Sequence, residues 1–297
     1  DGLKEIFLLG PGRTSGKGVI KGVSELKPGE YLNYNIRTGV KIRKYWSLKA
    51  NEHTDDINAT AEKVRYLITD AVKRQLVSDV LLCCFLSGGL DSSIISKIAS
   101  DKYLADGKGK LHTYSVNYID NRKYFERSIF QPDSDEQYIR VMVNGIGAHH
   151  HEVMLDNEDL EKHLEDGVIA RDLPGMADID ASLMYFCSLV KEYNKVCLTG
   201  ECADEVFGGY PWFYREDLIN VNGFPWSFDF SSRISMLDDS FANELKLEEY
   251  AYDKYRDSLK LVPYMDGEND FSRRHREITW LNIAWFMQTL LDRMDRA

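Results

Sequence analysis

The six residues Ser87-Gly88-Gly89-Leu90-Asp91-Ser92 follow directly on an apolar run, Val80-Leu81-Leu82-Cys83-Cys84-Phe85-Leu86. Adjacent glycines let successive backbone N–H groups turn to one side, and the hydroxyls of Ser87, Ser92 and Ser93 add donors. A helix starting behind them adds the positive end of its dipole, so the string is suited to cradle an anion such as phosphate. It is not a Walker A loop, because no Gly-Lys-Ser/Thr follows and the spacing is too short. Asp91 is out of place in a loop that binds only anions, since a carboxylate repels phosphate unless a divalent cation lies between them. Mg²⁺ prefers hard oxygen ligands and commonly takes one or two carboxylates together with phosphates, which makes Asp91 a candidate metal contact. The plainer alternative for Asp91 is a carboxylate that stabilises the start of the helix.

A second polar string, Thr199-Gly200-Glu201-Cys202-Ala203-Asp204-Glu205-Val206-Phe207-Gly208-Gly209-Tyr210, follows another short apolar run, Val196-Cys197-Leu198. Glu201, Asp204 and Glu205 crowd three carboxylates into five positions. Such crowding is unfavourable in a purely structural turn, and it makes sense if Mg²⁺ and a substrate ammonium or a developing charge sit among them.

The first string resembles the pyrophosphate loop of the ATP pyrophosphatases, which cleave ATP between its α and β phosphates and include the asparagine, argininosuccinate and GMP synthetases. The second is similar to the Ser-Gly-Glu-Gly-Ser/Ala-Asp-Glu-Leu/Val-Phe-Gly-Gly-Tyr signature of the asparagine synthetase family. Two departures stand out: Thr199 replaces Ser and keeps the hydroxyl, and Cys202 adds a side chain where the family has glycine. The resemblance implies ATP-binding roles for Leu86 and Val116 near adenine, for Ser87, Gly88, Gly89, Asp91 and Ser92 on the phosphates, and for Thr199 and Gly200. It further implies Asp91 and Asp204 at a magnesium pyrophosphate, and Glu201 as the catalytic glutamate in forming β-aspartyl-AMP. The implied reaction makes asparagine from aspartate and ammonia, the ammonia coming from glutamine in the whole enzyme, with release of AMP and pyrophosphate. Gly18-Val19-Ile20-Lys21-Gly22-Val23 and Leu26-Lys27-Pro28-Gly29-Glu30-Tyr31-Leu32 look like the last strands of the family's glutaminase domain, and the far end resembles a stretch that the family continues. The expected organisation is therefore residues 1–52 as the remnant of a glutaminase domain and 53–297 as a synthetase domain cut short at its C-terminus, in a homodimeric enzyme. A β-lactam synthetase and an inactive nucleotide-binding module are the competing readings.

The elements that must hold these loops are legible from periodicity. Apolar residues at helical spacing (Ile57, Ala61, Val64, Leu67, Ile68, Ala71, Val72) predict a helix over 55–78, and the run 80–86 predicts a strand covered on both faces. Further strands are predicted at 111–116, 150–155 and 196–199, separated by helices at 92–99, 135–143, 158–170 and 181–193. Strands alternating with helices imply an α/β fold with a doubly wound parallel sheet. The resemblance makes that sheet adenine nucleotide α-hydrolase-like. After residue 210 the sequence is aromatic and helical, over 247–259 and 274–296, and is read as a C-terminal helical cap. The first fifty residues carry short β-like runs between glycines and form a small β-rich remnant.

The composition sets outer limits. The chain has 297 residues, with 37 Lys and Arg against 48 Asp and Glu for a formal charge of -11, and no basic run that could track a nucleic-acid backbone. No stretch of 18 apolar residues predicts a membrane span, and Asp1 opens a segment without the pattern of a signal peptide. Five cysteines with no C-x-x-C pair read as reduced thiols in a cytoplasmic protein. Three other features read as structural. Gly10-Pro11-Gly12-Arg13-Thr14-Ser15-Gly16-Lys17 fails the Walker spacing, and the neighbouring side chains of His149-His150-His151 point to opposite faces of a strand. Tyr210-Pro211-Trp212-Phe213-Tyr214 reads as packing. Gly175-Met176-Ala177-Asp178-Ile179-Asp180 also looks like family sequence, and no role is assigned to its aspartates.

Overall fold

The computed structural model describes residues 1–8, 12–128, 133–227 and 230–297. The chain divides into two compact units. One comprises Asp1–Glu52, Leu173–Gly175 and Asp204–Asp295, and the other His53–Asp172, Met176–Ala203 and Arg296–Ala297.

In the first unit, β1 (Glu30–Asn35) and β2 (Gly39–Lys44) pair antiparallel as a hairpin, with Leu32 opposite Ile42 and Tyr34 opposite Val40. The alternation of the strands places these four apolar side chains on one face. Among the described residues the other regular elements of this unit are helices. Helices Leu247–Leu259 and Asp270–Leu281 lead through a π-helical turn, Asn282–Phe286, into Met287–Arg296. The expected helix over 274–296 begins earlier, at Asp270, because the Asn269 side chain accepts from the Ser272 N–H at 2.8 Å and caps it there. Phe224, Leu247, Ala251, Tyr255, Leu281 and Trp285 are core residues of this unit.

The β-rich reading of the first fifty residues needs one correction, because Gly2–Leu8 is a helix. Long-range contacts hold it. Phe7 meets Phe241 edge to face at 5.8 Å, and the buried Glu5 carboxylate accepts from the Thr14 N–H at 2.7 Å, from the Thr14 hydroxyl at 2.6 Å and from the Tyr250 hydroxyl. Thr14 belongs to the Walker-like run, so its donors serve this carboxylate; Gly10 and Pro11 of that run lie outside the described residues.

The second unit contains the parallel sheet: β3 (Leu82–Phe85), β4 (His112–Tyr118), β5 (His149–Leu155) and β6 (Val196–Leu198), in the order β5-β4-β3-β6. The mixed α/β class with a parallel sheet is as the sequence implied. Both faces are covered, and the pleat of β3 shows how. Leu82 and Cys84 point into a core with Val72, Leu76, Ala99, Tyr103 and Leu111, under the helices Ile57–Gln75 and Leu90–Ala105. Cys83 points the other way, to Tyr114, Phe186 and Val190 under the helix Asp178–Val190. A strand buried on both sides cannot alternate polar and apolar residues, which explains the uninterrupted run at 80–86.

The chain order of the strands reverses at β3, since β4 and β5 lie to one side and β6 to the other. In open α/β sheets the loops leaving the carboxyl ends of the strands part at such a reversal and leave a crevice between them. Here the two loops are 87–89, after β3, and 199–202, after β6.

Candidate active site

The first loop starts where the ladder ends. The Leu86 N–H donates to the Tyr114 carbonyl at 2.8 Å and the Leu86 side chain is buried, whereas Ser87 is exposed. Gly88 takes φ +83°, and a Cβ there would stand 2.8 Å from the Ile139 nitrogen and 2.8 Å from the Tyr138 Cβ. Only glycine fits that conformation without strain. Gly89 differs: it caps the helix Leu90–Ala105 in extended conformation, and the nearest atom to an added Cβ is the Ser87 Oγ at 3.4 Å. Inside the turn the Ser92 hydroxyl lies 3.0 Å from the Ser87 hydroxyl, accepts from the Ser87 N–H at 3.2 Å and donates to the Gly89 carbonyl at 3.3 Å. Asp91 sits in the first turn of the helix, partly exposed.

In the second loop the Thr199 hydroxyl accepts from the Glu201 N–H at 3.4 Å. Gly200 is pressed against the first loop. A Cβ on it would fall 2.9 Å from the Ser92 nitrogen and 3.1 Å from the Asp91 Cβ. Leu86, Ser87, Gly88, Gly89, Asp91, Ser92, Thr199, Gly200 and Glu201 therefore gather at the carboxyl edge of β3 and β6. Val116 lies on the same edge, in β4 opposite Val153 and exposed. Cys202 has φ +72°, the left-handed conformation that its family counterpart, glycine, adopts without strain.

Asp204 belongs to the other unit. Its carbonyl accepts from the N–H groups of Gly208 and Gly209 at 2.9 and 3.1 Å, which closes the short helix Ala203–Phe207. Burial raises the Asp204 pKa above the ordinary carboxylate value. Gly209 is tightly placed, because a Cβ there would lie 1.7 Å from Asp204 Oδ1. Glu205, the third carboxylate of the string, is fully buried and accepts from the Tyr210 hydroxyl at 2.8 Å. Tyr210 stacks on Trp212 at 4.4 Å, and Trp212 and Phe213 are buried, so the aromatic run is packing as its composition suggested.

The backbone at 135–139 that walls Gly88 escaped the sequence reading. It carries no motif, and its only signal was the predicted start of a helix at 135. The histidine run behaves as strand alternation requires. His150 contacts the hydroxyls of Thr113 and Ser115 at 3.0 and 3.1 Å, while His151 turns to the opposite face and meets His112 at 2.9 Å. No disulfide forms among the described residues, and burial pushes the Cys84 thiol up to about 12 and the Cys187 thiol up to about 11. These thiols stay protonated at neutral pH.

A parallel sheet whose order reverses between two loops is an open α/β domain, a class in which ligands bind outside the carboxyl ends of the strands. The chain belongs to the asparagine synthase family, whose profile matches residues 63–297. It is 48% identical over 295 residues to glutamine-hydrolysing asparagine synthetase 3 of Bacillus subtilis (strain 168), a match covering 99% of this chain and 48% of that protein. It is 32% identical over 226 residues to amidase chyE of Penicillium rubens, covering 72% of this chain and 32% of that protein. Asparagine synthetase 2 of Bacillus subtilis is 29% identical over 231 residues, covering 71% of this chain and 28% of that protein. The chain thus spans about half the length of the first of these relatives and about a third of the other two. An NAD+ synthetase structure from Burkholderia pseudomallei overlaps 77% of this chain and 89% of its own at 13% identity and a TM-score of 0.31, a likeness too slight to bear on the fold.

Proposed function

We propose that this chain is the synthetase portion of a larger enzyme that makes asparagine from aspartate and ammonia, using ATP to form β-aspartyl-AMP and releasing AMP and pyrophosphate. The observation that carries the reading is the packing of Gly200 against the start of the helix behind the first loop, where the strand order reverses. That contact sets Glu201 beside a cradle whose composition suits a polyphosphate. Family membership and the similarity to a glutamine-hydrolysing asparagine synthetase support the same reaction.

In this reading Leu86 and Val116 flank the adenine, and Ser87, Gly88, Gly89 and Ser92 form the phosphate cradle, together with the dipole of the helix Leu90–Ala105. Thr199 and Gly200 complete the ATP surface. The aspartate β-carboxylate attacks the α-phosphorus and pyrophosphate leaves. Ammonia then displaces AMP from the acyl-adenylate, with Glu201 orienting the reactants and moving a proton as the amine attacks.

Magnesium fits the donors present. Asp91 offers a partly exposed carboxylate, and the raised pKa of Asp204 marks a charge disfavoured by burial, which a cation would relieve. Among the described residues no group of three His, Cys, Asp or Glu is spaced to hold a metal. Asp91 and Asp204 are the carboxylates that the family resemblance assigns to Mg²⁺, and the ion would neutralise charge on the departing pyrophosphate.

In the whole protein a glutaminase domain, to which residues 1–52 contribute the last strands, would supply ammonia from glutamine, with residues 53–297 carrying the synthetase. The assembly would be a homodimer in the cytoplasm. The test is product analysis of the full-length protein with ATP, Mg²⁺, aspartate and ammonia. AMP, pyrophosphate and asparagine are expected in equal amounts, and ADP with phosphate would overturn the reading.

A further inference from the structure

A serine hydroxyl has one proton to donate and two lone pairs to accept with. Ser92 Oγ uses all three inside its own loop: it donates to the Gly89 carbonyl at 3.3 Å, accepts from the Ser87 N–H at 3.2 Å and accepts from the Ser87 hydroxyl at 3.0 Å. It is also buried, at 6% exposure, whereas Ser87 is exposed. In this arrangement the Ser87 hydroxyl spends its proton on Ser92 and accepts from the Gly89 N–H at 3.4 Å. Neither serine then offers a proton outward.

Rotation of the two hydroxyls about their C–O bonds reverses that. If the Ser92 proton swings from the Gly89 carbonyl to Ser87 Oγ, the Ser87 oxygen accepts from Ser92 and from the Gly89 N–H, and its own proton is released to the exposed side. The bond given up is the 3.3 Å contact, and the Gly89 carbonyl keeps a donor in the Ser93 N–H at 3.1 Å. The Ser87 N–H stays on Ser92 throughout. No heavy atom need move, and no buried group loses its last partner.

We propose that Ser92 is a positioning residue: a buried hydroxyl relay that holds the Ser87 N–H inside the loop and, when a phosphate anion arrives, turns the Ser87 proton toward it. Ser87 then touches the phosphate and Ser92 acts through Ser87. The inference deepens the ATP reading for this cradle and rests on it for the identity of the anion, while the wiring of the loop can be measured without any nucleotide.

The test joins amide hydrogen exchange in the full-length protein without nucleotide to ATP kinetics on the same variants. Ser92→Ala is expected to speed exchange at the Ser87 amide about tenfold and to raise the KM for ATP by a similar factor. Ser92→Thr, which keeps the hydroxyl, restores both. Ser87→Ala leaves its own amide protected, because that N–H still donates to Ser92 Oγ, and loses ATP affinity, because the outward donor is gone. Unchanged Ser87 exchange in Ser92→Ala alongside weakened ATP binding would make Ser92 a direct ligand and overturn the relay, as would failure of Ser92→Thr to restore protection. If Ser92→Ala does not fold, Ser92→Cys supplies the same readings with a weak donor of similar size. Finding ADP as the product would sink the ATP reading and leave the exchange result standing.

Discussion

The loops after β3 and β6 leave neighbouring parallel strands at the same edge, yet they are stabilised differently. The first is held from within, by side chains: one buried hydroxyl ties Ser87 to Gly89, and Gly88 turns left-handed where the backbone at 135–139 leaves no room for a side chain. In the second, a weak contact from the Glu201 N–H to Thr199 is joined by close packing of Gly200 on its neighbour and by a left-handed Cys202 that a glycine would occupy more easily. The lesson is a division of labour. A preorganised loop suits a constant ligand such as a polyphosphate, because its shape is fixed before binding. The second loop carries the carboxylate of Glu201, which in the proposed reaction meets the reactants.

The largest test of this contrast lies in the first loop. Gly88→Ala combines a positive φ with a backbone contact at 2.8 Å. It is expected to cost about 3 kcal/mol in urea unfolding, with ATP turnover lost. Gly89→Ala should unfold within about 0.5 kcal/mol of the parent, with its KM for ATP raised about tenfold if the proposed cradle brings phosphate against this backbone. Equal damage in both variants would mean that the cradle is not preorganised at Gly88.

Next in size, Asp91→Ala should lower the rate of pyrophosphate release about a hundredfold with little change in melting temperature. Unchanged release would remove Asp91 from the metal. A smaller effect of opposite sign is expected in the second loop, where Cys202→Gly relieves the φ of +72° and should stabilise the protein by about 1 kcal/mol in the same urea assay. No gain would mean that the cysteine side chain makes contacts worth as much as the strain.

The smallest effect is a pH dependence. Burial raises the Asp204 pKa above its ordinary 3.8, so without metal the folded protein holds this proton to a higher pH than the unfolded chain does. The stability from this residue is full below 3.8 and is lost as pH rises through the raised value. Asp204→Asn, neutral throughout, should therefore be more stable than the parent at pH 7 without Mg²⁺, and the advantage should vanish as pH falls below the ordinary carboxylate range. An advantage that stays constant with pH would assign the effect to packing.

The sheet and its strand–helix alternation were legible because burial on both faces leaves a plain record, as at Val80-Leu81-Leu82-Cys83-Cys84-Phe85-Leu86. Element ends moved by a few residues where a cap decided them, as at Asn269. The helix Gly2–Leu8 was not legible. It is seven residues long, it is followed by a glycine-punctuated segment, and what fixes it is the buried Glu5 with a partner 245 residues away. At the site, residue types and spacing pointed to both loops, and they could not show that Ser92 is turned inward or that Gly88 and Gly89 have different duties. Those properties depend on which neighbouring backbone closes over each residue, as the segment 135–139 does over Gly88.

The reversal of strand order at β3 also bears on how the protein is made. β6 is three residues long, and its contact with β3, seen in the Cys83 thiol donating to the Val196 carbonyl, joins positions 113 residues apart. Until that segment has left the ribosome, β3 is an open sheet edge and the loop after it lacks the neighbour that Gly200 provides. The unpaired backbone of β3 is then available to any passing strand. A nascent chain released before residue 196 should therefore be an aggregation hazard with no nucleotide affinity, and the same short strand both protects the sheet and completes the site.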